Sequence, residues 1–281
     1  MECVVNLSEG RRLDVLASIG ATAGPVLLDT HADPDHHRAV LTLGGSAAAV
    51  EAAARAVTSA ALSRLDLSTH GGAHPRMGVV DVVPFVPLAG ATMDAAVAAR
   101  DRFCEWAGGS LGLPCFRYGA ERSLPDVRRG AFTSFGPDCG PPAAHPTGGA
   151  CAVGARGVLV AWNLWLADAD LARARRIAAA VREMGPAVRS LGLDVGGRAQ
   201  VSCNLIDPGL VGPGTVLATV ERLASVERCE LVGLVPREVL AAEPPGRWAR
   251  LDLSPDRTIE ARLEQAGLDG GRFDVGTLGA G

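Results

Sequence analysis

The chain contains no lysine; all 27 of its basic side chains are arginine. Schiff-base chemistry and Walker-type phosphate loops both need a lysine and are excluded. Aromatic residues make up only 4% of the 281 positions, so a core has to be assembled from Ala, Val and Leu. No apolar run reaches the roughly 18 residues that a membrane span needs. The opening Met1-Glu2-Cys3-Val4-Val5-Asn6 lacks the basic region of a secretory signal. A cytoplasmic protein without a membrane partner is expected. The formal net charge of −4 is too close to balance for nucleic acid to be the main partner. The seven cysteines, at 3, 104, 115, 139, 151, 203 and 229, are odd in number and form no CxxC. That pattern argues against a disulfide framework or a structural zinc site, and predicts small buried thiols in a reducing compartment. With 48% hydrophobic residues the chain can bury a substantial core.

Apolar periodicity predicts the same order of elements twice. In the first half, Glu2–Leu7 reads as a strand, followed by a helix with Leu13, Leu16 and Ile19 on one face. Strands at 26–29 and 38–43 flank a polar turn, His31–His37, and an Ala-rich helix and a strand at 79–86 complete the unit. Thr92 caps a further helix. The second half repeats this with strands at 158–164, 188–193, 199–205 and 230–235 and helices begun by Asp168 or Asp170 and marked by Val216, Val220 and Leu223. Val5-Asn6-Leu7 echoes Trp162-Asn163-Leu164, and Arg38-Ala39-Val40 echoes Arg198-Ala199-Gln200. The fold class expected is α+β, with two tandem ferredoxin-like (βαββαβ) subdomains over residues 1–155 and 156–281. Residues 119–156 show little regular pattern and read as a long functional loop or linker. Near the end, Ser254 caps a helix with Pro255 first, Ile259 and Leu263 inward, and Gly267 as the stop.

Five of the six histidines lie between 31 and 74, in two clusters. The first is His31-Ala32-Asp33-Pro34-Asp35-His36-His37-Arg38. It supplies imidazole and carboxylate within one turn, as a zinc or iron site would, or else it is a solvated turn whose Asp side chains bond the backbone. The second is His70-Gly71-Gly72-Ala73-His74-Pro75-Arg76-Met77-Gly78, at the mouth of a strand. His74 there suits proton transfer near neutral pH, or is a surface histidine on a loop. Arg38 and Arg76 could each clamp a carboxylate with a bidentate fork, or form ordinary ion pairs.

The stretches ECVVNLSEG (2–10), LLDTHADPDHHR (27–38), HPRMGVVDVVPFVP (74–87), GPDCG with HPTGGACAVGAR (136–156), RAQVSCNL (198–205) and LVGLVP (231–236) together resemble the formiminotransferase family. The resemblance runs in family order over nearly the whole chain. It implies transfer of a formimidoyl group from N-formimidoyl-L-glutamate to N5 of tetrahydrofolate, the co-substrate, with no metal. It implies a homodimer working on small-molecule substrates, and the usual setting is histidine breakdown. The family's catalytic histidine falls on His74. Its folate-contacting loop falls on Gly140-Pro141-Pro142-Ala143-Ala144-His145-Pro146-Thr147-Gly148-Gly149. Arg38 and Arg76 are the candidates for the substrate carboxylates. No stretch matches a cyclodeaminase domain, so cyclisation of the product falls to a separate cyclodeaminase.

The chain departs from the family's animal members at Ala73, His31 and His37, in a shorter stretch between Tyr118 and Phe135, and in a folate loop without aromatic residues. Those changes keep two alternatives open. One is a different formimidoyl or formyl amino acid as donor. Another is a non-catalytic pterin- or amino-acid-binding relative. A third and weaker alternative, which rests on the histidine and aspartate residues themselves, is a metal hydrolase built on His31, Asp33, Asp35 and His74.

Overall fold

The computed structural model of the protein describes residues 1–71 and 76–268, which divide into two compact units, Met1–Arg156 and the chain from Gly157. The first unit runs β1 (Glu2–Leu7), α1 (Leu13–Ala21), β2 (Leu27–Asp33), β3 (Arg38–Gly44), α2 (Ala47–Leu62), β4 (Val80–Val86), α3 (Met93–Leu111), β5 (Cys115–Tyr118), α4 (Leu124–Gly130) and β6 (Cys151–Ala155). Its six strands lie in the order β2-β3-β1-β4-β6-β5. The first four are antiparallel neighbours in the ferredoxin-like arrangement, and β6 and β5 extend the sheet in parallel from β4.

Strand alternation sets the two faces. Cys3, Val5 and Leu7 on β1 and Ala39, Leu41 and Leu43 on β3 are fully buried on one side, where α2 supplies Val50, Ala54, Val57 and Ala61. The small Ala side chains let that helix lie close to the sheet, which is how a core poor in aromatics still packs. Each Leu or Val buried in this way contributes about 1.5–3 kcal/mol. The opposite face carries Asn6, Arg38 and Val40, and α4 crosses it further along, where Val127 packs with Val82, Phe116 and Ala152.

The second unit runs β7 (Val160–Leu166), α5 (Leu171–Arg182), β8 (Val188–Val195), β9 (Arg198–Leu205), α6 (Pro213–Glu221), β10 (Val226–Val232), α7 (Arg237–Ala241) and α8 (Ile259–Gln265). Its sheet, β10-β7-β9-β8, is antiparallel throughout. Trp162 is fully buried in it, and its indole N–H donates to the Leu251 carbonyl at 2.9 Å. Both units therefore carry the α+β, βαββαβ core that the sequence pattern predicts.

Several local expectations change. Residues 119–156 are not patternless: α4 starts at a capping box between Ser123 and Asp126, and β6 is a buried inner strand. Both were too short for periodicity to register. At the tail, Ser254 and Pro255 open a single 3-10 turn, and Thr258 is the residue that caps α8, accepting from Ala261 N at 3.2 Å. Leu13 is 63% exposed, because α1 begins at it and only Leu16 and Ile19 reach the core. Leu223 falls beyond the end of α6 and is exposed. The Arg echo does not survive in register: Asn6 faces Val40, two residues past Arg38, whereas Asn163 faces Ser202, four past Arg198. All seven cysteines are free thiols, and all but Cys139 are buried. Among the described residues no helix is long and apolar enough to cross a membrane.

Candidate active site

Four segments distant in sequence meet at one end of the first unit's sheet. β1 leaves the sheet at Leu7. Ser8 then bonds the chain beside β4, with its N–H donating to Val79 O at 2.8 Å and its hydroxyl to Gly78 O at 2.7 Å. Gly10 sits where a Cβ would lie 2.1 Å from Asp33 O and 2.5 Å from Arg38 N, so only glycine lets the 8–12 turn nest against the β2–β3 turn.

Between them, Glu9 Oε1 accepts from the backbone N–H groups of Gly10, Arg11 and Arg12 at 2.9–3.1 Å, and Oε2 takes Arg12 Nε at 2.5 Å. Burial pushes the Glu9 carboxyl up. The N–H groups of Arg11 and Arg12 and the Arg12 guanidinium outweigh it and hold the carboxyl at about 2. Gly10 N also donates to His37 Nδ1 at 3.1 Å, which places the His37 ring proton on Nε2.

His37 has φ +50°, left-handed for a non-glycine residue, and its ring stacks on His70 with centroids 4.0 Å apart. His70 Nε2 donates to the His37 carbonyl at 3.0 Å, leaving Nδ1 facing Arg76. Burial lowers both imidazole pKa values. For His70 the Arg76 guanidinium lowers it further, and for His37 the Glu9 carboxylate works against the fall. Both shifts favour the neutral imidazole.

Arg38 gives its fork to Asn6 Oδ1, at 3.2 and 2.6 Å, and lies 3.8 Å from Asp81. Burial pushes its guanidinium down to about 10 against the raising effect of Asp81, so it stays charged at neutral pH. Arg76, placed by sequence as its counterpart, reaches His70 and the His36 carbonyl at 3.5 Å. His31 lies on β2 opposite Val40, on the face that also carries Arg38 and Asn6. Asp33 turns back on its own turn, with Oδ1 accepting from Asp35 N and His36 N at 2.8 Å each. Asp35 is exposed. Among the described residues no three His, Cys, Asp or Glu side chains are placed to share a metal ion. His74, and Ala73 before it, lie outside the described residues.

The loop Gly140–Gly149 is anchored at its C-terminal end and exposed at its tip. Pro141–Ala144 face solvent. His145 and Gly149 exchange backbone hydrogen bonds at 2.8 and 2.9 Å, and His145 Nδ1 accepts from Gly148 N at 2.9 Å. Gly148 O then accepts from Val79 N at 2.9 Å, and Ala150 N donates to Met77 O at 2.8 Å. The loop is thus bonded directly to the chain that follows the His74 motif. Pattern-reading missed Glu9, Asn6, Asp81 and Arg128. Asp81 had a signal, as a lone acid inside an apolar strand; Arg128 had none, because the helix carrying it was unseen.

Residues 1–156 match the family model for the N-terminal subdomain of the formiminotransferase domain. The chain belongs to the formiminotransferase family. Its relatives include pig formimidoyltransferase-cyclodeaminase (Sus scrofa), 36% identical over 85% of this chain and 51% of that protein. The glutamate formimidoyltransferase of Streptococcus pyogenes serotype M1 is 33% identical over 85% of this chain and 90% of that protein. The glutamate formimidoyltransferase of Thermoplasma acidophilum is 33% identical over 65% and 67%. This formiminotransferase-family chain spans about half the length of the pig protein and nearly the whole of the streptococcal one. The motifs that converge at the sheet end, from NLSEG to HPTGG, all fall inside the span that the family model matches.

Proposed function

We propose that the chain transfers a formimidoyl group from N-formimidoyl-L-glutamate to N5 of tetrahydrofolate, with His74 carrying the proton. N5 attacks the amidine carbon, and the C–N bond to glutamate breaks once that nitrogen is protonated. The products are 5-formimidoyl-tetrahydrofolate and glutamate. The proton lost by N5 is the one that the glutamate nitrogen needs, so a single imidazole acting first as base and then as acid balances the reaction. Arg38 and Arg76 hold the donor's carboxylates, and the Gly140–Gly149 loop covers the pterin. The names of the relatives support the group transferred.

The observation that carries the reading is the bonding of the loop's Gly148 to Val79, and of Ala150 just after the loop to Met77. It brings the residues matched to folate contact beside the strand mouth where the sequence places the proton carrier. Arg76 lies two residues beyond His74 and is already turned toward the His37–His70 stack, so a carboxylate held there would lie close to that mouth.

Turnover tests it. Protein, tetrahydrofolate and N-formimidoyl-L-glutamate are mixed, the mixture is acidified, and methenyl-tetrahydrofolate is read in the near ultraviolet. Signal is expected from the wild type. His74→Ala should lower it by about 10²–10⁴-fold, the usual worth of a positioned acid–base group. Near-normal turnover in that variant would sink the assignment. Signal with formimidoylglycine or formylglutamate alone would keep the chemistry and change the donor. No signal from folded protein with any donor would refute the transfer reading.

A further inference from the structure

Asp81 is the only charged residue of β4, a strand otherwise buried and apolar. The ladder between β1 and β4 slips beside it: Asn6 faces Val82 but Leu7 faces Val80, which leaves Asp81 as the extra residue of a bulge. A bulge re-aims a side chain, and this one brings the carboxylate to the face that α4 covers. There it is 2% exposed and fully occupied. Oδ2 takes Arg128 Nη2 at 2.6 Å, with Arg38 at 3.8 Å, and Oδ1 accepts the Met77 N–H at 2.8 Å.

Met77 is pinned on its other side as well, since its carbonyl accepts from Ala150 N at 2.8 Å. The backbone three residues beyond His74 is therefore clamped between a buried carboxylate and the end of the Gly140–Gly149 loop. Arg128 belongs to the last turn of α4, and the residue before it, Val127, is buried in the cluster with Val82 and Phe116. A buried carboxylate is costly unless it is paired and hydrogen-bonded, so the pairing over-determines where Asp81 points.

We propose that Asp81 is a positioning residue for the transfer reaction: it fixes the backbone of the His74 motif at Met77 and ties that backbone to α4 through Arg128. The role rests on the reading of His74 as the proton carrier. Asp81 does not touch the reacting atoms. Its effect is geometric, and proton transfer is sensitive to geometry because donor and acceptor must come within hydrogen-bond reach.

The full chain is compared as wild type, His74→Ala, Asp81→Asn and Arg128→Gln, by steady-state turnover and by hydrogen exchange at the Met77 amide. Asparagine offers one oxygen to three donors. Asp81→Asn is expected to speed Met77 exchange and to lower kcat by about 100-fold, the order expected for a 1 Å misplacement, while KM for tetrahydrofolate stays near wild type. Arg128→Gln leaves the Met77 acceptor in place, so it should give a smaller fall in kcat with a smaller rise in exchange. Wild-type kcat in Asp81→Asn, or a fall in kcat with Met77 exchange unchanged, overturns the proposal. If Asp81→Asn does not fold, Arg128→Gln decides: unchanged kcat and unchanged exchange overturn it. Turnover that survives in His74→Ala sinks the underlying reading. Loss in His74→Ala beside wild-type turnover in Asp81→Asn sinks only the role of Asp81.

Discussion

Glu9 shows how one side chain holds the corner of the candidate site. Its carboxylate satisfies three backbone N–H groups that the turn after β1 leaves without strand partners, and it neutralises Arg12. Its folded-state pKa, about 2, lies below the ordinary value near 4.3, so the unfolded chain takes up the proton more readily. The stabilisation from Glu9 is therefore complete above roughly pH 4.3 and is lost as pH falls through about 2. Glu9→Gln is expected to cost about 1–3 kcal/mol at neutral pH, the usual penalty for losing charge-assisted hydrogen bonds. The deficit should shrink toward acid. Thermal melts of both proteins from pH 7 down to about pH 2.5 would check it, and a deficit that does not change with pH would remove the assigned cause. Sequence pattern had no access to this role, because Glu9 reads as an ordinary helix-opening acid. What matters is the Gly10 close approach, which depends on a turn 23 residues away, at Asp33.

At the scale of elements, the foot of the Gly140–Gly149 loop is fitted to α3. A Cβ on Gly108 would lie 2.5 Å from Gly140 N and 2.9 Å from the Cys139 carbonyl carbon. Those are backbone atoms that cannot step aside as a side chain could. Gly108→Ala should force the loop off the helix at a cost of about 1–3 kcal/mol, typical of overpacking. If the loop covers the pterin, KM for tetrahydrofolate rises in that variant while KM for the donor holds. Steady-state kinetics with each substrate varied would show it, and equal change in both constants would remove the loop from folate binding.

Long elements were legible in the sequence because they carry several periods of pattern: the Ala-rich helix is α2, and α3 starts at the cap its sequence announces, Thr92. α4 and β6 were not, since 7 and 5 residues hold too little periodicity, and both lie in a Pro- and Gly-rich stretch. Missing α4 meant missing Arg128, and so the partner of Asp81. The site motifs themselves could be read as chemistry, but their convergence is a property of the sheet, not of any one segment.

For the whole molecule, duplication of the βαββαβ order was readable because each half repeats the same alternation of apolar runs. The two sheets share that order but not their details. The first is widened by two parallel strands, and every site residue predicted from the sequence falls within its unit. The second has a core of its own, from Trp162, Leu164, Ile177, Val201 and Leu205 to Leu251 and Leu253. A unit with a separate core should fold as an independent cooperative body. Residues 157–281 expressed alone are expected to unfold in one transition, reported by burial of Trp162. Trp162→Ala removes the largest fully buried side chain there and its bond to Leu251, and should cost about 3–5 kcal/mol. Denaturant titration followed by circular dichroism measures both. A non-cooperative melt would mean that the second core is insufficient by itself, and the chain's stability would then have to be treated as one inseparable quantity.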